Sequence, residues 1–92
     1  MNLYLQTELA RLCEVPESTL RQRIKKFKRY ISPVQLNGKT YYTDETYDQM
    51  VLIEYAHENK QLEIDIEDEL LTIILCHKKL NKIKRMAESL RK

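Results

Sequence analysis

With 92 residues, 42 per cent apolar and 33 per cent charged, the chain is one globular domain or a small domain with an extension, and not a disordered segment. Its net charge of +2 conceals three blocks: residues 1–43 carry eight basic and three acidic side chains, residues 44–69 one and ten, and residues 70–92 seven and one. Signs segregated in this way exclude a merely solubilising surface and point to a polyanion partner at one end, to docking between copies, or to both.

In chain order, the first expected element is a short helix over Gln6–Glu14, starting near Gln6 or Thr7, with Leu9 and Leu12 at i, i+3. Val15-Pro16-Glu17 breaks and restarts the chain: proline is tolerated in a first helical turn, and Glu17 suits the positive end of a helix dipole. The next helix runs from about Pro16 to Tyr30. Leu20, Ile24, Phe27 and Ile31 fall on one apolar stripe, whereas Arg21, Arg23, Lys25, Lys26, Lys28 and Arg29 fall off it. Ser32-Pro33 ends that helix. Asn37-Gly38, between short β-prone runs, predicts a two-residue hairpin that pairs Leu36 with Lys39, Gln35 with Thr40 and Val34 with Tyr41. Val34, Leu36 and Tyr41 then share one face, and Gln35, Thr40 and Tyr42 the other. Thr43, Asp44 and Glu45 predict a third helix start, with Tyr47, Met50, Val51 and Tyr55 on one side as far as about His57. A final helix starts near Asp65 and meets no proline or glycine through Lys92.

A chain this short buries roughly 60–65 per cent of its unfolded surface, so its core is marginal and a partner or a second copy would support it. The longest apolar run, Leu70–Cys76, falls far short of the roughly 20 residues of a membrane span, and MNLYLQTE lacks a secretion pattern. A cytoplasmic, nucleoid- or plasmid-associated location follows, with no membrane partner. Cys13 and Cys76 sit within apolar helical patterns and read as buried free thiols, and no C-x-x-C spacing suggests zinc. His57 and His77 lack a partner at a recognisable spacing. No nucleophile arrangement, paired carboxylate or phosphate loop is present, so no catalytic residue, metal, cofactor or small-molecule ligand is expected.

Two short helices, the second basic, followed by a tight hairpin have the order of a winged helix-turn-helix: mainly α with a small β-hairpin wing, plus a long C-terminal helix. Phosphate contacts need cations and small hydroxyl donors, and base edges need Arg, Gln or Asn. The helix supplies Ser18, Thr19, Arg21, Gln22, Arg23, Lys25 and Lys26; the hairpin supplies Lys39, Thr40 and two tyrosines. Arg21, Gln22 and Arg23 suit base reading, and Ser18, Thr19, Lys25, Lys26 and Lys39 suit the backbone. Tyr42 reads as the contact residue and Tyr41 as core.

The run YLQTELARLCEVPESTLRQRIKKF, the hairpin NGKTYYTDE and the acidic helix behind it resemble the DNA-binding domain of the MerR family over about residues 4–58. The most specific parts are Glu8–Ala10, Ser18–Arg21 and the NGKTYY segment. The resemblance implies that Thr19 and Arg21 lie on a recognition helix and that Tyr41 and Tyr42 touch the DNA backbone. It also implies dimerisation through a long antiparallel helix pair. The chain departs from the family pattern in Gln22 and Arg23 where tyrosines are frequent, in Thr40 at the wing arginine, in Glu14 at the inter-helix glycine and in Pro16 at the capping serine. Nothing after the long helix resembles an effector-binding domain.

In that last helix Ile73, Cys76, Leu80, Ile83, Ala87 and Leu90 repeat with 3-4 spacing, an expected dimer seam. Lys79 and Lys84 flank it and would oppose like charges in a symmetric pair, which favours docking part of this basic helix on the acidic Asp44–Glu69 block. Residues 1–60 are thus expected to form a double-stranded DNA-binding unit, and residues 61–92 a helix for packing and homodimerisation. A sequence-specific transcription regulator is the leading expectation. The alternatives are an excisionase-like or plasmid or chromosome segregation factor, and a protein-interaction adaptor acting through the last helix.

Overall fold

The computed structural model describes residues 2–60 and 63–90, the side chains of 63 and 64 apart. Its first element is a strand that has no counterpart in the sequence pattern. Leu3–Tyr4 (β1) pairs antiparallel with the second strand of the hairpin, Leu3 opposite Thr43 and Tyr4 opposite Tyr42. Helix α1 (Gln6–Leu12) follows at once. The Glu8 carboxylate turns back to accept the Leu5 N–H at 3.0 Å, which satisfies one open donor of the first turn.

Helix α1 ends two residues before the expected Glu14, and the reason is a left-handed residue. Glu14 has φ of 57°, its N–H donates to the Arg11 carbonyl at 3.1 Å, and the Val15 N–H donates to the Ala10 carbonyl at 3.1 Å. This pair of bonds is a Schellman ending, whose left-handed position is most often glycine. Pro16 then caps α2 (Glu17–Lys26) in an extended conformation. Leu20 and Phe27 are buried, Ile24 half-buried. Helix α2 is shorter than expected because Phe27 leaves helical geometry, and the chain tightens into a 3-10 turn, Lys28–Tyr30. The backbone carbonyl of Tyr30 accepts the Gln49 side-chain amide at 2.7 Å.

The hairpin has the expected register. Strands β2 (Val34–Leu36) and β3 (Lys39–Thr43) pair Val34 with Tyr41, Gln35 with Thr40 and Leu36 with Lys39. Asn37 and Gly38 have φ of 51° and 75°, the two positive values that a type I′ turn requires. With β1 added, the sheet order is β1-β3-β2. Helix α3 (Asp44–Glu58) buries Thr46, Gln49, Met50, Ile53 and Ala56. Helix α4 (Glu63–Leu90) buries Ile66 and Leu70 and packs along α3 and the 3-10 turn. The chain is thus mainly helical, with a small three-stranded antiparallel sheet and a long C-terminal helix. The expected domain boundary and the last helix's final two residues fall at 61–62 and 91–92, outside the described residues.

Two pins hold the sheet and α4 to α3. The Tyr4 hydroxyl donates to Asp44 Oδ1 at 2.6 Å, and His77 Nε2 lies 2.7 Å from Asp48 Oδ2. That hydroxyl holds the Asp44 carboxyl below its ordinary value of 3.8. A carboxyl so lowered stabilises the fold fully above 3.8, and the contribution disappears as the pH falls through the folded value. Tyr4→Phe is therefore expected to be less stable than the native chain near neutral pH, with the two curves converging in acid. Urea titrations across the acid range check this. The same measurement tests the backbone: Glu14→Gly should raise stability by up to about 1 kcal/mol, and Gly38→Ala should lower it by about 1–2 kcal/mol.

Candidate nucleic-acid interface

At 100° per residue, the buried positions Leu20 and Phe27 fix which side of α2 faces solvent. Ser18, Gln22 and Lys25 form the middle of the outward side and are exposed. Arg21, Lys25 and Lys28, at i, i+4 and i+7, line an open groove between α2 and the hairpin, over an apolar floor of Ile24, Ile31, Pro33 and Tyr42. On the opposite flank Thr19, Gln22 and Lys26 border a second cleft, completed by His57 and Lys60 of the α3 end. The outward side of α2 is thus a polar centre with a cation-bearing groove on each flank.

The Arg21 side chain is 66 per cent exposed and lies 3.7 Å from Glu17, one helical turn earlier. Such a surface pair contributes little and yields to a stronger anion. Arg23 behaves differently and corrects its assignment as a base reader. Its guanidinium is bonded to Glu54 of α3, with 14 per cent of the side chain exposed. At 100° per residue it sits beside Leu20 and Phe27, on the inner side, and its chemistry there is structural.

The hairpin assignment of the tyrosines is also inverted. Tyr42 is 7 per cent exposed and belongs to the core, and burial raises its phenol pKa. Tyr41, read as core, is half-buried on the face that carries the exposed Leu36. Alternation with period two specifies that the tyrosines point apart. It does not specify which face meets the body, and the decision comes from β1, α1 and α3 packing against β3. Lys39 is exposed, as a backbone contact needs. Thr40 exchanges side-chain hydrogen bonds with Gln35 at 2.9 and 3.1 Å, which stiffens the hairpin near its tip.

Helix α4 divides its expected dimer seam. Ile73 is half-buried, whereas Leu80, Ile83 and Leu90 are 52, 60 and 86 per cent exposed, and Cys76 and Ala87 are exposed with them. Cys76 as a buried thiol is therefore corrected: the helix has left the body's cover on that side. Cys13 is half-buried, and burial raises its thiol pKa. Leu75 and Met86, outside the 3-4 pattern, are exposed large hydrophobics as well. His57 and Lys60 were missed because only the fold carries the end of α3 beside α2. The left-handed Lys60, with φ of 54°, offers no signal of its own at a lysine.

Among the described residues no group of three or more His, Cys, Asp and Glu side chains could hold a metal ion, and no helix is long and apolar enough to cross a membrane. The chain matches no family model, no curated protein and no solved structure.

If Arg23 is a strut and not a reader, its removal should act on stability. Arg23→Ala is expected to cost about 1–3 kcal/mol in chemical denaturation, because it leaves a partly buried carboxylate unpaired. Arg21→Ala, at an exposed position, should change stability by less than about 0.5 kcal/mol.

Proposed function

We propose that the protein binds double-stranded DNA sequence-specifically through a winged helix-turn-helix of the MerR kind, with α2 as recognition helix and the β2–β3 hairpin as wing. One observation carries the reading: a polar helix face flanked on both sides by cation-bearing grooves, with the type I′ hairpin bordering one of them. A helix in a major groove has that requirement, since base edges lie ahead of it and a phosphate strand lies on either side.

The roles divide by position. Ser18 and Gln22 face the base edges from the middle of the helix, and Arg21 reaches them from its wing-side flank. Lys25, Lys28 and Lys39 meet the phosphate strand beside the wing. Thr19, Lys26, His57 and Lys60 border the strand on the other side. The function is occupancy or distortion of a site in DNA, with no bond made or broken, and regulation of transcription is the use proposed for it.

A small core and the exposed Leu80, Ile83, Met86 and Leu90 support a homodimer paired through the outer half of α4. Two copies would read half-sites about one or two helical turns apart. Like charges at Lys79 and Lys84 weaken that pairing at low salt.

Selection from a random duplex library with the full chain tests both claims at once, because the recovered motif reports symmetry and spacing. On that motif, Arg21→Ala and Gln22→Ala should each lose about 1–3 kcal/mol while leaving random DNA nearly unaffected. Lys25→Gln should weaken every sequence alike and reduce the salt slope by about one. Equal losses on specific and random DNA at Arg21 and Gln22 would refute their reading role. Light scattering that reports a monomer at micromolar concentration would remove the dimer.

A further inference from the structure

The second basic block of the chain is not used by the recognition helix or the wing. Lys78, Lys79, Lys82, Lys84 and Arg85 stand within one stretch of α4, and every one of them is exposed. Among the described residues none of the five side chains has a hydrogen-bond or ion-pair partner. Lys78, Lys82 and Arg85 fall at i, i+4 and i+7, one straight row along the helix. At 100° per residue this row lies about a third of a turn away from Ile83 and Leu90, so pairing α4 through its apolar stripe leaves the row open. Like charges at that spacing destabilise a bare helix by a small amount at each pair, and an external anion reverses the sign of the effect.

The row's place in the fold indicates which anion. Helix α4 packs against the 3-10 turn that carries Lys28 and Arg29. Pro33 borders both the groove lined by Arg21, Lys25 and Lys28 and the groove beside α4 lined by His77, Leu80 and Lys84. Asp44 and Glu45 also line the α4 groove, and the Tyr4 hydroxyl donates to the Asp44 carboxylate. The cationic surface of α2 therefore continues, across one proline, toward the basic half of α4. From Lys78 to Arg85 the helix rises about 10 Å, close to the axial rise of three base-pair steps of duplex DNA.

We infer that the row Lys78, Lys82 and Arg85 is a second phosphate-binding track, which engages duplex DNA outside the segment met by α2 and the wing. This rests on the DNA-binding reading above and extends it: part of the affinity is independent of the motif and is carried by the same helix that joins the two copies. The track reads no base, so it lengthens the footprint and steepens the salt dependence without altering specificity.

The test uses the full chain, native and K78Q/K82Q/R85Q, on a random-sequence duplex of four helical turns over a series of salt concentrations. Helix content is checked by circular dichroism and mass by light scattering. With both unchanged, the triple variant should show a plot of log K against log salt shallower by about 2.7. Arg21→Ala should still lower affinity for the selected motif in that background. An unchanged slope overturns the track and leaves the α2 reading intact. Absence of salt-dependent duplex binding by the native chain overturns both readings. If the triple variant falls to monomers, the three cations serve the acidic block of a second copy, and the track is refuted. The same holds if the variant loses binding to phosphatidylserine–phosphatidylcholine vesicles while its duplex binding stays native, which would assign the row to an anionic membrane surface.

Discussion

Helix α2 carries cations at Arg21, Arg23, Lys25 and Lys26 and must still bury one side, and the rest of the molecule is organised around that conflict. Leu20 and Phe27 supply the apolar contact, but the arginine beside them would enter the same interface as an unpaired charge. Burying a lone cation costs several kcal/mol, so the position is tolerable only with a counter-charge at hand. Glu54 of α3 provides it. The Gln49 amide of the same helix satisfies the carbonyl of Tyr30, where the chain leaves the 3-10 turn. Helix α3 therefore holds α2 through Arg23 and the 3-10 turn that follows it through Tyr30. Every other cation of α2 is directed outward as a consequence.

The sheet is the second fixed body, and it is small. A two-stranded hairpin alone is marginal in water. Here β1 adds a third strand to β3, Tyr42 seals the inner face, and the Tyr4 hydroxyl ties the sheet to the first turn of α3. These contacts leave the tip, Asn37 to Lys39, free of the body and stiffened only by its own turn and by the Gln35–Thr40 pair. A rigid base with a projecting cationic tip suits a contact to a strand of phosphates. The α4 helix repeats the pattern on a larger scale: buried at Ile66 and Leu70, pinned by His77 to Asp48, and with no buried side chain from Lys78 to Leu90.

Charge segregation along the chain has a simple structural counterpart. Acidic Asp44, Asp48 and Glu54 each meet a partner from the flanking blocks or from the first strand: Tyr4, His77 and Arg23. The central block thus acts as an internal counter-surface that meets Arg23 and His77, while Lys25 of α2 and Lys78, Lys82 and Arg85 of α4 stay exposed. Such an arrangement stores positive potential on the outside of α2 and α4, where screening by salt sets its reach.

The sequence by itself determined the helices of the body, the Asn-Gly hairpin with its register, and the outward set Ser18, Arg21, Gln22 and Lys25. Each of these depends on spacing within one element: periods of 3.6 and 2, and a turn whose two positive φ values Asn-Gly adopts readily. Tertiary structure alone decided the partner of Arg23, the burial of Tyr42, the strand β1 and the exposure of Cys76. In each case the deciding atom lies far along the chain, Glu54 against Arg23 or Tyr4 against Tyr42, and periodicity carries no information about which face a distant element will cover. The left-handed Glu14 is a local case: two backbone bonds that close α1 set its conformation, at a residue whose own preference is against it.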